Sequence, residues 1–503
     1  MHSSNAWTHG SVIIDSATKR PATRESFMKL AQRVFSYADQ IQFAAASGDY
    51  NPMHVDPLQA RRTQAGAPVV HGIHLLFWAL DSLASEYPDL PPLRSLRAQF
   101  RSFVFLDEVV AVELAQKSAT AARLVIAVGG ATRSKVTIDI GQPAEKRPEW
   151  AARPLKPVPR SSEPLNLTLD EISGRSGCIP LQMTTDEAVA SFPNAAKWLG
   201  GHQIAALAAT THLVGMICPG LHSIYSELEA AVCDGPGDEN SLKFRVTDTD
   251  ARFRSVELEI ASAALSGVVR SFARNPPVEQ PAMQWLARRV GPAEFSGATA
   301  LVIGGSRGLG ELAAKIVAAG GGRVVVTWQA GKVDAQRVAQ EIRAAGGDCQ
   351  ALAYDARVPA SEQLQHLESE VTHAYYFATP AIFRPQSDIF NPERLKEFLS
   401  VYVDGFWNLC QALRRRQPRL SLFYPSSVAV TERPKGMTEY TMAKAAGEIL
   451  CTDMNSCLGP SHVTVSRLPR LPTDQTASIT PAESADPLET MLPIIREVQS
   501  WPR

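Results

Sequence analysis

The chain has 503 residues, 45% hydrophobic and 20% charged, with 50 Lys and Arg against 51 Asp and Glu and a formal net charge of -1. That length outgrows a single core and divides into several packed units, and the ordinary composition excludes wholesale disorder or a fibrous repeat. The charge balance argues against nucleic acid or an anionic membrane surface as partner and leaves a small molecule.

The seven cysteines are scattered with no Cys-x-x-Cys pair, so they read as reduced thiols and no metal centre is expected. The N-terminal stretch lacks the form of a signal peptide, and every apolar run is broken before it could span a bilayer. A cytoplasmic location is therefore expected.

In chain order, the first informative stretch is SGDYNPMH at residues 47–54. It sets the Asp49 carboxylate and the His54 imidazole on either side of an Asn-Pro turn, where both can address one water or hydroxyl. Such a pair suits reversible addition of water to a double bond conjugated with a carbonyl. Alone it is equally well a capped turn with a partly exposed histidine. VHGIH at 70–74 tips the balance, because Gly72 enters an apolar helix with its N–H and the positive end of the helix dipole available to a thioester oxygen.

SGDYNPMH and VHG resemble the MaoC-like, (R)-specific enoyl-thioester hydratase family over roughly residues 30 to 140. The resemblance implies Asp49 and His54 as the catalytic pair and Gly72 as the oxyanion amide. It also implies acyl-CoA or acyl carrier protein thioesters as substrates, bound through a phosphopantetheine arm. Arg61 and Arg62 are candidates for phosphates on that arm, although a solvated basic turn explains them as well.

A stretch rich in proline and charge at 141–164 leads to a middle segment that repeats the first weakly. PGLH at 219–222 opens an apolar run as VHGIH does, and alternating segments follow both. The pattern predicts a duplication, one helix and several antiparallel strands twice over, as in a double hotdog. The middle segment lacks Asp-x-Asn-Pro-x-His and reads as a non-catalytic copy that completes a pseudo-dimer. His202, His212 and His222 lie ten residues apart, which favours buried or capping roles over a metal cluster.

After a second linker at 275–297, strands alternate with helices, and six strands can be placed from ALVIGG to VTVSRLP. GGSRGLG (304–310) lies between a strand and a helix, where glycines let backbone amides approach a pyrophosphate. In YTMAK, Tyr440 and Lys444 are four apart and share a helix face, and Ser427 ends a strand upstream. Ser427 can hold a carbonyl while Tyr440, its pKa lowered by Lys444, donates a proton.

GGSRGLG, Ser427 and YTMAK resemble the short-chain dehydrogenase/reductase family over nearly all of 298–503. The resemblance implies Ser427, Tyr440 and Lys444 as catalytic residues. It implies a cofactor site from Gly304, Ser306, Arg307, Gly308, Leu309 and Gly310 together with Tyr440 and Lys444, and it sets Asp355 near the adenine. Three departures stand out: Tyr402 where the family has an asparagine, FATP (377–380) for its Asn-Asn-Ala-Gly, and no evident seventh strand. Thr327-Trp328-Gln329 closes the second strand without a carboxylate to hold ribose hydroxyls, while Arg307 can pair with a 2′-phosphate and Lys332 can assist. NADP(H) is the expected cofactor.

The expected fold is multidomain: an α+β double hotdog followed by an α/β Rossmann doubly wound parallel sheet. The expected units are 1–150, 160–275 and 296–503. The expected function is reduction of a 3-oxoacyl thioester followed by dehydration to a trans-2-enoyl thioester in fatty-acid or polyketide assembly. The reverse, catabolic direction and a reductase carrying a non-catalytic acyl-binding module are the alternatives, and a homodimer is left open.

Overall fold

The computed structural model describes residues 27–142, 148–233, 240–365, 367, 369–383, 389–457, 459–476 and 483–501. Residues 27–142 supply β1 (Met28–Val34), β2 (Leu93–Phe100), β3 (Val109–Lys117), β4 (Ala121–Val128) and β5 (Ala131–Ile140). The next stretch supplies β6 (Ser176–Pro180), β7 (Ser223–Val232), β8 (Ser241–Asp250), β9 (Ser255–Ala261) and β10 (Leu265–Ala273). All ten join one sheet in the order β1-β3-β4-β5-β2-β7-β10-β9-β8-β6. Read outward from the β2–β7 seam, the two halves have the same order. Every pairing is antiparallel, including the seam, where Leu96 faces Ala230 and Ala98 faces Leu228.

Each half wraps a buried helix. In the Gly72–Glu86 helix, ten residues from Ile73 to Ala84 are buried, too many for one stripe, so the helix meets protein all round. Each of its fully buried Leu and Phe side chains contributes about 1.5–3 kcal/mol. The Gly201–His212 helix of the other half is buried from Ile204 to His212 and runs on into a wider π-turn at Leu213–Ile217. One apolar core joins both halves across the seam. On the opposite face, Arg97 pairs with Glu227, and Arg270 bridges Glu229 and Glu257. Such half-exposed pairs add little stability, and of these the Arg97–Glu227 pair spans the seam.

The repeat is real in topology, but the sequence match drawn for it is out of register. PGLH does not open a helix: Ser223–Val232 directly after it is the strand β7. The counterpart of the VHGIH helix starts earlier, at Gly201. A short apolar run in a fully buried element has no period that separates helix from strand, which is why the two were confused.

The second sheet holds β11 (Thr299–Ile303), β12 (Arg323–Trp328), β13 (Cys349–Ala353), β14 (His373–Tyr376), β15 (Ser421–Ser427) and β16 (His462–Leu468). They are parallel throughout and ordered β13-β12-β11-β14-β15-β16. This is the doubly wound layout expected from sequence, with its topological switch between β11 and β14, where the ends of the strands open a ligand crevice. Among the described residues no seventh strand follows β16. The chain closes instead with the Pro487–Ser500 helix, whose Leu488, Met491, Ile495 and Val498 join the core beneath the Gly308–Ala319 helix.

The two sheets' units touch through charged side chains. Arg62 forms an ion pair with Asp334, and the Arg307 guanidinium reaches the Arg61 carbonyl oxygen at 2.7 Å. Arg61 and Arg62 therefore face the unit of the parallel sheet.

Candidate functional site

The first site begins at the end of the Tyr37–Ser47 helix, where Gly48 takes a left-handed conformation (φ 79°). A side chain there would press on Gln182 and His212, so glycine is needed for space as well as for backbone shape. Asn51 then caps the Pro52–Val55 turn, accepting the Met53 N–H at 3.1 Å. That turn aims His54 back toward Asp49. Nδ1 of His54 lies 2.8 Å from the Val69 carbonyl oxygen, to which it donates, leaving Nε2 with its lone pair facing the pocket.

Asp49 is buried, 1% exposed, and its carboxylate accepts the Asn51 N–H at 3.1 Å and the Thr211 hydroxyl at 2.6 Å. Asn51 Nδ2 donates to the Gly215 carbonyl at 2.8 Å. An added Cβ on Gly215 would stand 2.1 Å from Asp49 Oδ1, so the π-turn of the second half abuts the carboxylate. His212 adds a contact to the Gly48 carbonyl at 2.7 Å. Thus the segment that lacks its own Asp-His pair grips the pair of the other half.

His71 is fully buried, stacks on His54 at 3.8 Å and lies between Gln40 Oε1 (2.9 Å) and the Asp49 carbonyl (3.1 Å). Burial, with the neighbouring His54, holds its pKa well below the ordinary value. His74, stacked on Phe43, is pushed down by burial to about 3 and is a core histidine. Donor atoms of Asp49, His54 and His71 lie within 4.8 Å of one another. The Asp49 oxygens and three of the four ring nitrogens already face hydrogen-bond partners, an arrangement suited to moving protons rather than holding a cation.

Gly72 is the first residue of its helix, so its N–H has no intrahelical acceptor. A Cβ there would meet the Phe100 ring at 3.0 Å. Asp49, His54 and Gly72 line one pocket, closed on the far side by Thr211, Val214, Gly215 and Tyr225.

In the second site, Ser427 ends β15, and Tyr440 and Lys444 lie on the Thr438–Cys457 helix. Burial raises the Tyr440 pKa, and a hydrogen bond with the Ser427 side chain opposes that rise. Lys444 is fully desolvated, which pulls its ammonium down to about 7. Its Nζ donates to the Pro425 carbonyl at 2.6 Å and sits 3.9 Å from the centre of the Tyr402 ring. Tyr402 Oη in turn lies 2.5 Å from Thr379 Oγ1. Two departures from the family pattern, Tyr402 and the FATP segment, are therefore in contact with each other.

The glycine loop has the shape a dinucleotide needs. Gly304 (φ 76°) runs against the Phe377 backbone, where a Cβ would come within 2.9 Å, and a Cβ on Gly310 would strike the Gly304 carbonyl at 2.2 Å. The Gly304 N–H donates to Thr327 Oγ1 at 3.0 Å. Ser306 is buried, Leu309 packs on the core, and Gly308 opens a helix that has no side-chain cap, which leaves its first amides for an anion. Asp355 follows β13 and accepts the Arg357 N–H at 2.9 Å. Arg307, expected to face a 2′-phosphate, donates to Asp474 at 2.8 Å as well as to Arg61.

Thr211, Gly215, His71 and the Arg61–Arg307 contact were not anticipated. The run GGHQIAALAATTHLVGM carried the signal for the first two, since a glycine and histidine opening an apolar helix echo VHGIH.

Residues 17–137 match the MaoC like domain family and residues 298–482 the short chain dehydrogenase family. Over 75 residues the chain is 31% identical to the peroxisomal hydratase-dehydrogenase-epimerase of Saccharomyces cerevisiae, a match covering 15% of this chain and 8% of that protein. Solved structures similar to it include a 3-oxoacyl (acyl-carrier-protein) reductase from Agrobacterium tumefaciens with NADP bound, at 19% identity and TM-score 0.37, covering 41% of this chain and 88% of that one. A short chain dehydrogenase from Burkholderia cenocepacia in complex with NADP matches at 24% identity and TM-score 0.37, covering 41% and 94%. The chain thus joins a MaoC-like dehydratase domain to a short-chain dehydrogenase domain.

Proposed function

We propose that this chain is a bifunctional acyl-thioester enzyme that reduces a 3-oxoacyl thioester with NADPH and dehydrates the 3-hydroxyacyl product to a trans-2-enoyl thioester. The proposed units are a hotdog at 1–150, a second, degenerate hotdog at 160–275 and a reductase at 296–503. The observation that carries the reading is the convergence of Asp49, His54 and the Gly72 amide on one pocket. Substrates on coenzyme A or on an acyl carrier protein both fit.

In dehydration one proton leaves the α-carbon and one arrives on the departing hydroxyl, so the pair ends a turnover protonated as it began. His54 has committed Nδ1 to Val69 and can accept or return a proton only at Nε2. Asp49, fixed by Thr211 and the Asn51 N–H, holds the hydroxyl that leaves as water. The Gly72 N–H receives the negative charge that develops on the thioester oxygen.

In the reductase, Ser427 orients the substrate carbonyl, Tyr440 supplies a proton to its oxygen, and Lys444 favours the tyrosinate that results. The glycine loop would hold the dinucleotide, which would supply the hydride. Thr327-Trp328-Gln329 offers no carboxylate for ribose hydroxyls, which favours NADPH over NADH.

The test is NADPH oxidation with 3-oxoacyl thioesters on both carriers and mass analysis of the product. An enoyl product that becomes a 3-hydroxyacyl product in Asp49→Asn supports both steps and their order. No oxidation on any such thioester sinks the coupled reading. The opposite direction, hydration then oxidation, is a second reading favoured by the name of the yeast relative; faster turnover of enoyl thioesters with NADP⁺ would establish it.

A further inference from the structure

Three guanidinium groups and two carboxylates meet where the first unit touches the reductase. Arg62 is paired with Asp334, and Arg307 with Asp474. That leaves Arg61. Its Nη1 is inaccessible to solvent and has no hydrogen-bond partner. A Cβ placed on Gly331 would lie 3.2 Å from Nη1 and 3.4 Å from Nη2, so the head group rests on the backbone just past β12. The Arg61 carbonyl is meanwhile held by Arg307 of the glycine loop. One residue of the first unit thus spans the two segments between which a Rossmann sheet holds the adenosine ribose: the glycine loop and the end of the second strand. Burial and the nearby Arg307 and Arg62 charges lower the Arg61 pKa, and Asp334 and Asp474 offset that only in part.

We propose that Arg61 binds the 2′-phosphate of NADPH, so that the site distinguishing NADPH from NADH is built across the two units and not within the reductase alone. The proposal rests on the reading of the reductase as NADPH-dependent. A phosphate monoester brings about two negative charges and strong acceptors to the one guanidinium here whose donor is buried and unused. Arg307 reaches the Arg61 carbonyl from the glycine loop, and Lys332 follows Gly331 in the chain. Reductant binding then depends on the first unit being docked, which ties the supply of hydroxyacyl product to the presence of the dehydratase.

The test uses the full chain and calorimetric titration with NADPH, NADH and 2′,5′-ADP. Arg61→Gln is expected to weaken NADPH and 2′,5′-ADP about ten- to a hundredfold while NADH binding stays within about twofold, and Arg61→Lys recovers part of the loss. Asp334→Asn breaks the ion pair between the units but leaves Arg61 in place, so NADPH binding stays equal or tightens. Equal weakening of NADPH and NADH in Arg61→Gln, or no weakening of either, overturns the assignment. So does an Asp334→Asn protein that loses NADPH as Arg61→Gln does, because Arg61 would then act only through docking. A wild-type protein that binds neither dinucleotide overturns the NADPH reading itself; one that binds both equally, with 2′,5′-ADP excluded, overturns only the role of Arg61.

Discussion

The two halves of the ten-stranded sheet share one topology and divide the labour. The first carries Asp49 and His54. The second has neither, yet its Thr211 hydroxyl, its Gly215 backbone and its His212 ring hold the segment that bears them. In the proposed reading one half supplies the reacting groups while the other forms the wall that fixes them. A half without its own Asp-His pair is on that reading still part of the site, and its substitution should be felt in catalysis.

The sharpest way to break that contrast is Asp49→Asn, which should cut dehydration by about 10²–10⁴ while NADPH oxidation continues, read as 3-hydroxyacyl product accumulating. Next comes Gly215→Ala in the half without a catalytic pair. Its methyl needs the space that Asp49 Oδ1 occupies, so dehydration should fall about a hundredfold with about 1–3 kcal/mol lost in stability, measured by enoyl formation and denaturant unfolding. Thr211→Val removes one hydrogen bond to the carboxylate and should cost about tenfold, in turnover more than in KM. If Gly215→Ala and Thr211→Val leave dehydration at the wild-type rate, the second half is scaffold alone.

The smallest expected change in stability lies outside both halves. Lys444 has its pKa lowered from 10.5 to about 7 by burial, so between those values the unfolded chain holds a proton that the folded one lacks. Stability from this group is thus lowest below pH 7 and rises toward 10.5. Lys444→Met should raise the midpoint of thermal unfolding by a few degrees at pH 6 and flatten the slope between pH 7 and 9. Reduction should be lost and dehydration of a supplied 3-hydroxyacyl thioester kept. An unchanged pH slope would mean that Lys444 stays charged, held by the Tyr402 ring and the Pro425 carbonyl.

Much of this was legible in the residues. Five of the six strands of the parallel sheet are short runs carrying β-branched or aromatic residues, CQALA being the exception, and they stand where the alternation puts them. SGDYNPMH is local, so its turn can be read directly. What was hidden depends on distance along the chain. Thr211 meets Asp49, and Arg307 meets Arg61, across separations of 162 and 246 residues, so the pairing of the segments is not read from either one alone. The contact of Tyr402 with Thr379 is of the same kind: two departures that look independent in sequence are one packing solution in space.

The β2–β7 seam has a consequence for how the first unit comes apart. Because the ladder continues through it and one core lies beneath, the halves cannot separate like docked subunits; backbone hydrogen bonds and apolar packing must fail together. Amide protons along Ser95–Gln99 and Glu227–Ala231 should then be among the slowest to exchange with solvent, and the ten strands should melt as one cooperative block rather than as two.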